Sequence, residues 1–389
     1  MANVVSMPSA RAALRTIRAV ERGVSRTMMF LLVPVVLLVI IGLGAILSAS
    51  SVVGLRETGD GLFYFKRQIV WLVVGVVAMV VAAFIPLRWW KKLALPMFVT
   101  TLGLLVTVLF VGTRVNGATR WLIVGPVSIQ PSEIAKLATV VMLATVVSRR
   151  ELSMRRYRDF FGPVAATVGL VGGLVMLQPD LGTTLLVAAG AFAVLWASAV
   201  PLRHVIGTGI GAGGAAFVLA ISSPYRWARV TAFLDLQSDP LGTSYQAVQG
   251  LVALGTGGLW GVGLGASRAR WSFLPNAHTD FVFAILGEET GLAGSLAIVA
   301  MFGVFTVAGT LIALRCADRF GRLLAVGITS WLSAQAIVNI GGVVGLLPIT
   351  GVPLPFVSSG GSALVVSLVG VGVLVSVARQ APTSPVPER

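Results

Sequence analysis

One cysteine, Cys316, and two histidines, His204 and His278, are spread over 389 residues. A single thiol excludes an intrachain disulfide and any Cys-rich metal centre, and two histidines add too few ligands for a zinc motif. Charge is scarce as well: 11% of the residues are Asp, Glu, Lys or Arg, and only 14 are acidic. No P-loop occurs, so no Walker-type cradle for nucleotide phosphates is available. A soluble core of this length would alternate apolar with polar positions far more often.

Apolar sequence fills the space these residues leave. Hydrophobic residues make up 56% of the chain. Runs of about twenty such residues recur, each long enough to cross a hydrocarbon core of roughly 30 Å. The expected fold is an all-α integral membrane protein with ten spans, near 28–49, 67–85, 93–112, 132–148, 161–177, 182–199, 205–222, 281–313, 323–346 and 362–378. Around them stand a basic N-terminal segment, 1–27, and a short tail, 379–389, with one membrane domain from 28 to 378.

The net charge of +15 would suggest nucleic acid in a soluble protein. Here the basic residues sit between apolar runs, with no aromatic-interleaved basic surface, so no nucleic-acid partner is expected. Arg11, Arg15, Arg18, Arg22 and Arg26 fall on one helical stripe suited to an anionic leaflet. An Arg-rich transit peptide has the same look. The run Met28 to Leu47 is too long for a signal-peptide core, so the segment is expected to stay attached.

Alternate loops differ in charge. The N-terminus, 86–92, 149–160, 200–204, 314–322 and the tail together hold 19 Lys and Arg, and the other set holds nine. By the positive-inside rule both termini are cytoplasmic. The long segment 223–280, before the eighth span, then faces outside. Within it Tyr245 to Leu254 is apolar but too short to span, which predicts an interfacial or re-entrant piece.

Ionisable groups in or beside spans are costly and usually functional. Glu133 and Lys136, three apart, share a helix face. They are either a neutralised pair crossing the bilayer or the lining of a polar substrate cavity. Asp180 sits in a short hairpin and could simply cap the next helix. Glu288 and Glu289 lie roughly 12 Å beyond Asp280 along a helix, too far to share its proton. Asp280 itself lies at the outer border beside His278 and Thr279. A carboxylate partly desolvated there can act as a general base, and a helix N-cap is the simpler role.

The stretch GVGLGA, 261–266, matches a dinucleotide fingerprint. That signal requires a soluble strand–turn–helix unit, and an external loop supplies none. Away from cytoplasmic nucleotides an enzyme must receive its substrate already activated, and a lipid carrier is the expected form. Arg67, Arg120 and Lys136, near the outer face in this topology, could meet a lipid-linked pyrophosphate.

The motifs FLPNAHTDFVFAILGEETGLAG, NGATRW, IQPSEIAKLA, QPDLGTTLL, YQAVQGLVALGTGGLWGVGLG and LLPITGVPLPFVSSGGSALV occur in the order and spacing of the SEDS family (shape, elongation, division and sporulation). The resemblance runs from the first span to the last. GASRARWSFLPNAHTDF and the GEE after FAIL resemble the division branch, FtsW, more than the elongation branch, RodA.

The resemblance implies a ten-span peptidoglycan glycosyltransferase in the bacterial cytoplasmic membrane, at the septum for the division branch. It would polymerise lipid II on the outer face beside a class B penicillin-binding protein and other divisome proteins. The family's essential aspartate corresponds to Asp280, and its Glu–Lys pair to Glu133 and Lys136. Asn276 departs from relatives that carry a charged residue there. Asp280 would take the proton of the acceptor 4-hydroxyl, which attacks the donor's anomeric carbon as undecaprenyl pyrophosphate leaves. A divalent cation, Mg or Mn, could assist at the pyrophosphate, although the sequence offers no dedicated cage. Pro348 to Gly361, with Ser358 and Ser359, would shape the lipid groove or cap the last helix. The competing functions are a lipid II flippase, which needs polar groups through the full bilayer depth, and a non-catalytic divisome scaffold.

Overall fold

The computed structural model describes residues 10–115, 118–125, 127–150, 156–222, 244–268 and 279–380, with isolated positions from 227 to 235. Every predicted span falls on a helix. In chain order these are α1 (Ala10–Thr58), α2 (Phe63–Phe84), α3 (Leu87–Val111), α4 (Pro131–Arg150), α5 (Tyr157–Val164), α6 (Leu170–Leu177), α7 (Leu181–Trp196), α8 (Leu202–Ile221), α9 (Tyr245–Gly257), α10 (Val282–Arg315), α11 (Arg319–Val343) and α12 (Gly361–Arg379). Among the described residues, eight helical segments are long and apolar enough to cross a membrane. The sixth and seventh predicted spans fall on α7, of 16 residues, and α8, of 20.

The fifth span is α5 and α6 joined by a π-helical turn, Ala165–Gly169. Pro163 precedes the turn, and Thr167 Oγ1 donates to the Pro163 carbonyl at 2.8 Å. A proline cannot donate to the helical ladder, so a widened turn beside it is an expected accommodation. The first span is also longer than its apolar run. It continues as helix back to Ala10, through the arginine-rich segment.

Packing sorts the helices by polarity. α4, α11 and α12 have most of their surface buried, while α2 and α3 expose rows of apolar side chains such as Val73, Val77, Val81 and Leu95. The interior collects helices carrying Glu133, Lys136, Gln335 and Asn339, and the lipid-facing rim is aliphatic. This is the arrangement a bilayer imposes, since a polar group turned outward would meet hydrocarbon. α2 lies directly on α12. There a Cβ at Gly372 would sit 2.2 Å from the Met79 carbonyl oxygen, so glycine alone permits the approach.

Two irregular features shape one end of the bundle. Between α3 and α4 the chain forms a small antiparallel sheet, order β1 (Thr113–Val115), β2 (Ala118–Val124), β3 (Val127–Ile129). Thr113 pairs with Trp121 and Leu122 with Ile129. The all-α expectation missed this element.

The second feature is a break in α10 at Gly291 (φ 67°, ψ −164°). Residues 258–263 insert there. Val262 N and Gly263 N donate to the carbonyls of Glu288 and Glu289 at 3.0 and 3.1 Å. Leu292 N and Ala293 N donate to the carbonyls of Gly258 and Leu259 at 2.9 and 3.2 Å. Four backbone groups at the kink are thus re-satisfied, as membrane burial demands. The apolar piece expected to be interfacial or re-entrant is α9. It packs Ala247, Gly250, Ala253 and Gly257 inward, beside α10.

Candidate active site

Asp280 lies half-buried one residue before Phe281, the N-cap of α10. Phe281 makes no side-chain cap bond, so the cap position belongs to a neighbour and not to Asp280. Thr279 Oγ1 donates to Asp280 Oδ1 at 2.7 Å. Asn339 Nδ2, near the end of α11, donates to the Asp280 main-chain oxygen at 2.8 Å. The carboxylate therefore starts from a backbone anchored on a second helix. His278 and Asn276 lie outside the described residues.

Pro131 opens α4 directly after the sheet, where a missing N–H costs nothing. Glu133 and Lys136 follow, each only 1% exposed. Lys136 Nζ stands 2.7 Å from Glu133 Oε2 and donates to Gln335 Oε1 at 2.7 Å. It also lies 5.4 Å from the centre of the Trp331 ring. The pair is closed inside the bundle, with the ammonium satisfied by a carboxylate, an amide and an aromatic face. Removal of either partner would strand a buried charge.

The arginines project from the sheet end. Arg67, on α2, donates to Ser128 Oγ at 2.5 Å, and both Arg67 and Arg120 are half-buried. Arg120 Nε donates to the Gln178 carbonyl at 3.1 Å, and its guanidinium also bonds the Pro179 carbonyl. It lies 3.9 Å from Asp180 Oδ1. Asp180 caps α7, with Oδ1 accepting from Thr183 N at 3.1 Å and Oδ2 from Thr183 Oγ1 at 2.9 Å. The cap reading of Asp180 is thus the one the geometry adopts.

Glu288 and Glu289 are buried at the α10 break. Glu288 accepts from Ser267 Oγ, from Arg268 N at 3.1 Å and from Thr256 Oγ1 at 3.4 Å. Glu289 accepts from Ser48 Oγ on α1. These bonds fasten the inserted segment and the first helix to α10.

Ser358 and Ser359 do not cap α12. The N-cap is Gly360, without a side-chain bond. Ser358 is buried, and its Oγ accepts from Leu354 N at 2.8 Å, closing a turn inside the α11–α12 strap. Ser359 is half-buried. Sequence reasoning also passed over Gln335 and Asn339. Their spacing of four on an apolar helix is a signal that could have found them.

This end of the bundle combines one half-buried carboxylate, two half-buried guanidiniums and a closed Glu–Lys pair. Such a set can remove a proton and offset anionic charge. The FtsW/RodA/SpoVE family, described as "Cell cycle protein", matches residues 27–383. The chain belongs to that family.

The probable peptidoglycan glycosyltransferase FtsW of Geobacter sp. (strain M18) is 37% identical over 351 residues, covering 90% of this chain and 96% of that protein. Stage V sporulation protein E of Bacillus subtilis (strain 168) is 39% identical over 355 residues, with the same coverage. Among solved structures, a chain from "Structural coordination of polymerization and crosslinking by a peptidoglycan synthase complex" superposes with a TM-score of 0.73. It is 32% identical and covers 90% of this chain and 97% of its own. The rod shape determining protein RodA of Thermus thermophilus gives 0.67 at 28% identity, covering 91% and 97%. The family therefore accounts for the multi-pass helical fold, and the relatives carry the FtsW likeness expected from the motifs.

Proposed function

We propose that this chain is a peptidoglycan glycosyltransferase that polymerises lipid II into β-1,4-linked glycan at the outer face of the cytoplasmic membrane, at the division septum. The observation that carries it is the anchored, half-buried Asp280 carboxylate in a chain whose FtsW relatives bear that activity in their names.

Asp280 takes the proton from the acceptor sugar's 4-hydroxyl. The freed oxygen attacks the donor's anomeric carbon, and the α-linked undecaprenyl pyrophosphate leaves from the opposite face to give a β-glycosidic bond. The leaving group is already a stable anion, so it needs charge stabilisation more than protonation. One carboxylate with nearby cations suffices, where glycoside hydrolysis uses two carboxylates. Arg67 and Arg120, both half-buried, are accessible cations at that end of the bundle. Lys136 acts from the interior.

Among the described residues no cluster of three His, Cys, Asp or Glu side chains could hold a metal ion. These residues do not form a cage for a divalent cation, and the leaving group's charge is left to the arginines. A class B penicillin-binding protein is the partner this function requires, since glycan strands need crosslinking.

The buried acidic groups, Glu133, Asp180, Glu288 and Glu289, and Lys136 all belong to the end of the bundle that holds Asp280. A path for flipping lipid II would spread such groups through the bilayer's depth, so this distribution favours chemistry at one face. The test is glycan synthesis from lipid II by the purified chain with its penicillin-binding partner. Asp280→Asn should lower the rate by about a hundredfold or more while partner binding persists. Equal polymer from both proteins would remove Asp280 from the mechanism. Polymer from neither, with lipid II crossing vesicles, would indicate the flippase.

A further inference from the structure

Gln335 and Asn339 stand one turn apart on α11, and each reaches two other parts of the molecule. Gln335 Oε1 accepts from Lys136 Nζ at 2.7 Å and from Trp331 Nε1 at 3.1 Å, while its Nε2 donates to the Pro353 carbonyl at 2.9 Å. Asn339 Nδ2 donates to the carbonyls of Asp280 and Val352, both at 2.8 Å. Two donors on one side of Gln335 and two carbonyl acceptors at Asn339 fix both amide orientations chemically. The strap 347–360 is therefore pinned through the adjacent carbonyls of Val352 and Pro353. An unbroken chain, buried at Glu133, Lys136 and Gln335 and part-buried beyond, runs through the strap and Asn339 to the backbone of Asp280.

Asn339 keeps its place at a cost. The residue is 5% exposed, and its Oδ1 is buried without a partner among the described residues. An unmatched buried acceptor is unfavourable, and an apolar residue would avoid it. The two bonds that its amide donates are what the position gains.

We propose that Gln335 and Asn339 are positioning residues that hold Asp280 in register with the Glu133–Lys136 pair through the Val352–Pro353 strap. This rests on Asp280 being the general base. A base must meet its proton within about 3 Å, and a misplacement of about 1 Å can cost a hundredfold. Asn339 sets the main chain from which the Asp280 carboxylate projects. Gln335 ties the same strap to Lys136, so a shift of that ammonium is felt at the base.

The experiment uses the full chain with its penicillin-binding partner and lipid II, with rates expressed per folded complex. Asn339→Ala removes both donated bonds, so kcat should fall about tenfold or more, with KM for lipid II within about twofold. Asn339→Asp adds a negative charge beside Asp280 and should move the acidic limb of the pH–rate profile upward, since a like charge disfavours ionisation. Gln335→Glu keeps the contact with Lys136 and loses the donation to Pro353, and should lower kcat in the same sense. It also tests the chain independently if the Asn339 variants fold poorly. Hydrogen exchange of the strap should rise in all three variants. A purely structural role predicts lower melting temperatures with wild-type kcat per folded complex and an unmoved acidic limb, and that result overturns the proposal. Asp280→Asn is run alongside. If it retains activity, the general-base reading fails and takes the proposal with it. If it is inactive while the Asn339 and Gln335 variants behave as wild type, the positioning role alone is wrong.

Discussion

Lys136 is among the largest fully buried side chains described, and its ammonium is held by Glu133, Gln335 and the Trp331 face. Glu133→Gln would leave that charge uncompensated and should cost about 3–5 kcal/mol of stability. Thermal unfolding in detergent would show it. A Glu133→Gln, Lys136→Met double variant removes both charges and should recover much of that stability. Polymerisation should stay low, because Gln335 loses its ammonium donor. A double variant with wild-type activity would reduce the pair to simple neutralisation. Cys316 offers a second residue-level test. Burial pushes its thiol pKa up, and its Sγ faces the Asp318 carbonyl at 3.4 Å. The thiolate is the reactive form, so the native protein should resist maleimide near neutral pH and react once unfolded.

At the scale of elements, the insertion of 258–263 into α10 depends on two glycines. A Cβ at Gly261 (φ +82°) would stand 2.1 Å from the Glu289 carbonyl oxygen, and one at Gly291 (φ +67°) would stand 2.4 Å from Gly261 N. Either glycine changed to alanine should destabilise by about 3 kcal/mol. Gly303→Ala, with nothing within 4 Å, should be neutral or slightly stabilising. Comparison of the three melting curves checks this. The same element shows what the sequence could reveal. The ten apolar runs named the helices, because twenty-residue hydrophobic segments have one stable form in a bilayer. GVGLGA could be dismissed as a nucleotide fingerprint, yet nothing in its composition said that its amides complete a broken helix. That pairing is long-range backbone bonding, and one glycine inside an apolar run does not announce a kink. The sheet at 113–129 was missed for a related reason: two of its strands are three residues long and rely on pairing rather than pattern. At the site, Asp280, Glu133 and Lys136 were legible as charges where charge is expensive. Gln335 and Asn339 were passed over: their spacing of four on an apolar helix marks them, but what they hold is set by partners far away in the chain.

At the scale of the whole molecule, the loop charges and the site must agree about sides. The helix order puts the starts of α4, α10 and α12 and the end of α11 at one end of the bundle. Contacts between Asn339 and Asp280, and between Gln130 N and Ser362 Oγ at 3.3 Å, join those ends directly. The basic segments at 86–92 and 314–322, with the end of α4 and the start of α5, belong to the opposite end, so the positive-inside rule sends Asp280 outward. The proposed polymerisation at the outer face requires that orientation. The chain is suited to testing it, because its single native thiol is buried and should stay unlabelled. Lys66, with its side chain 65% exposed at the start of α2, and Arg158, exposed at the start of α5, lie at opposite ends. In intact cells a membrane-impermeant maleimide should label Lys66→Cys and spare Arg158→Cys, with both labelled after permeabilisation. The reverse pattern would place Asp280 in the cytoplasm, where the nucleotide-activated sugars are, and a different donor would then have to be sought.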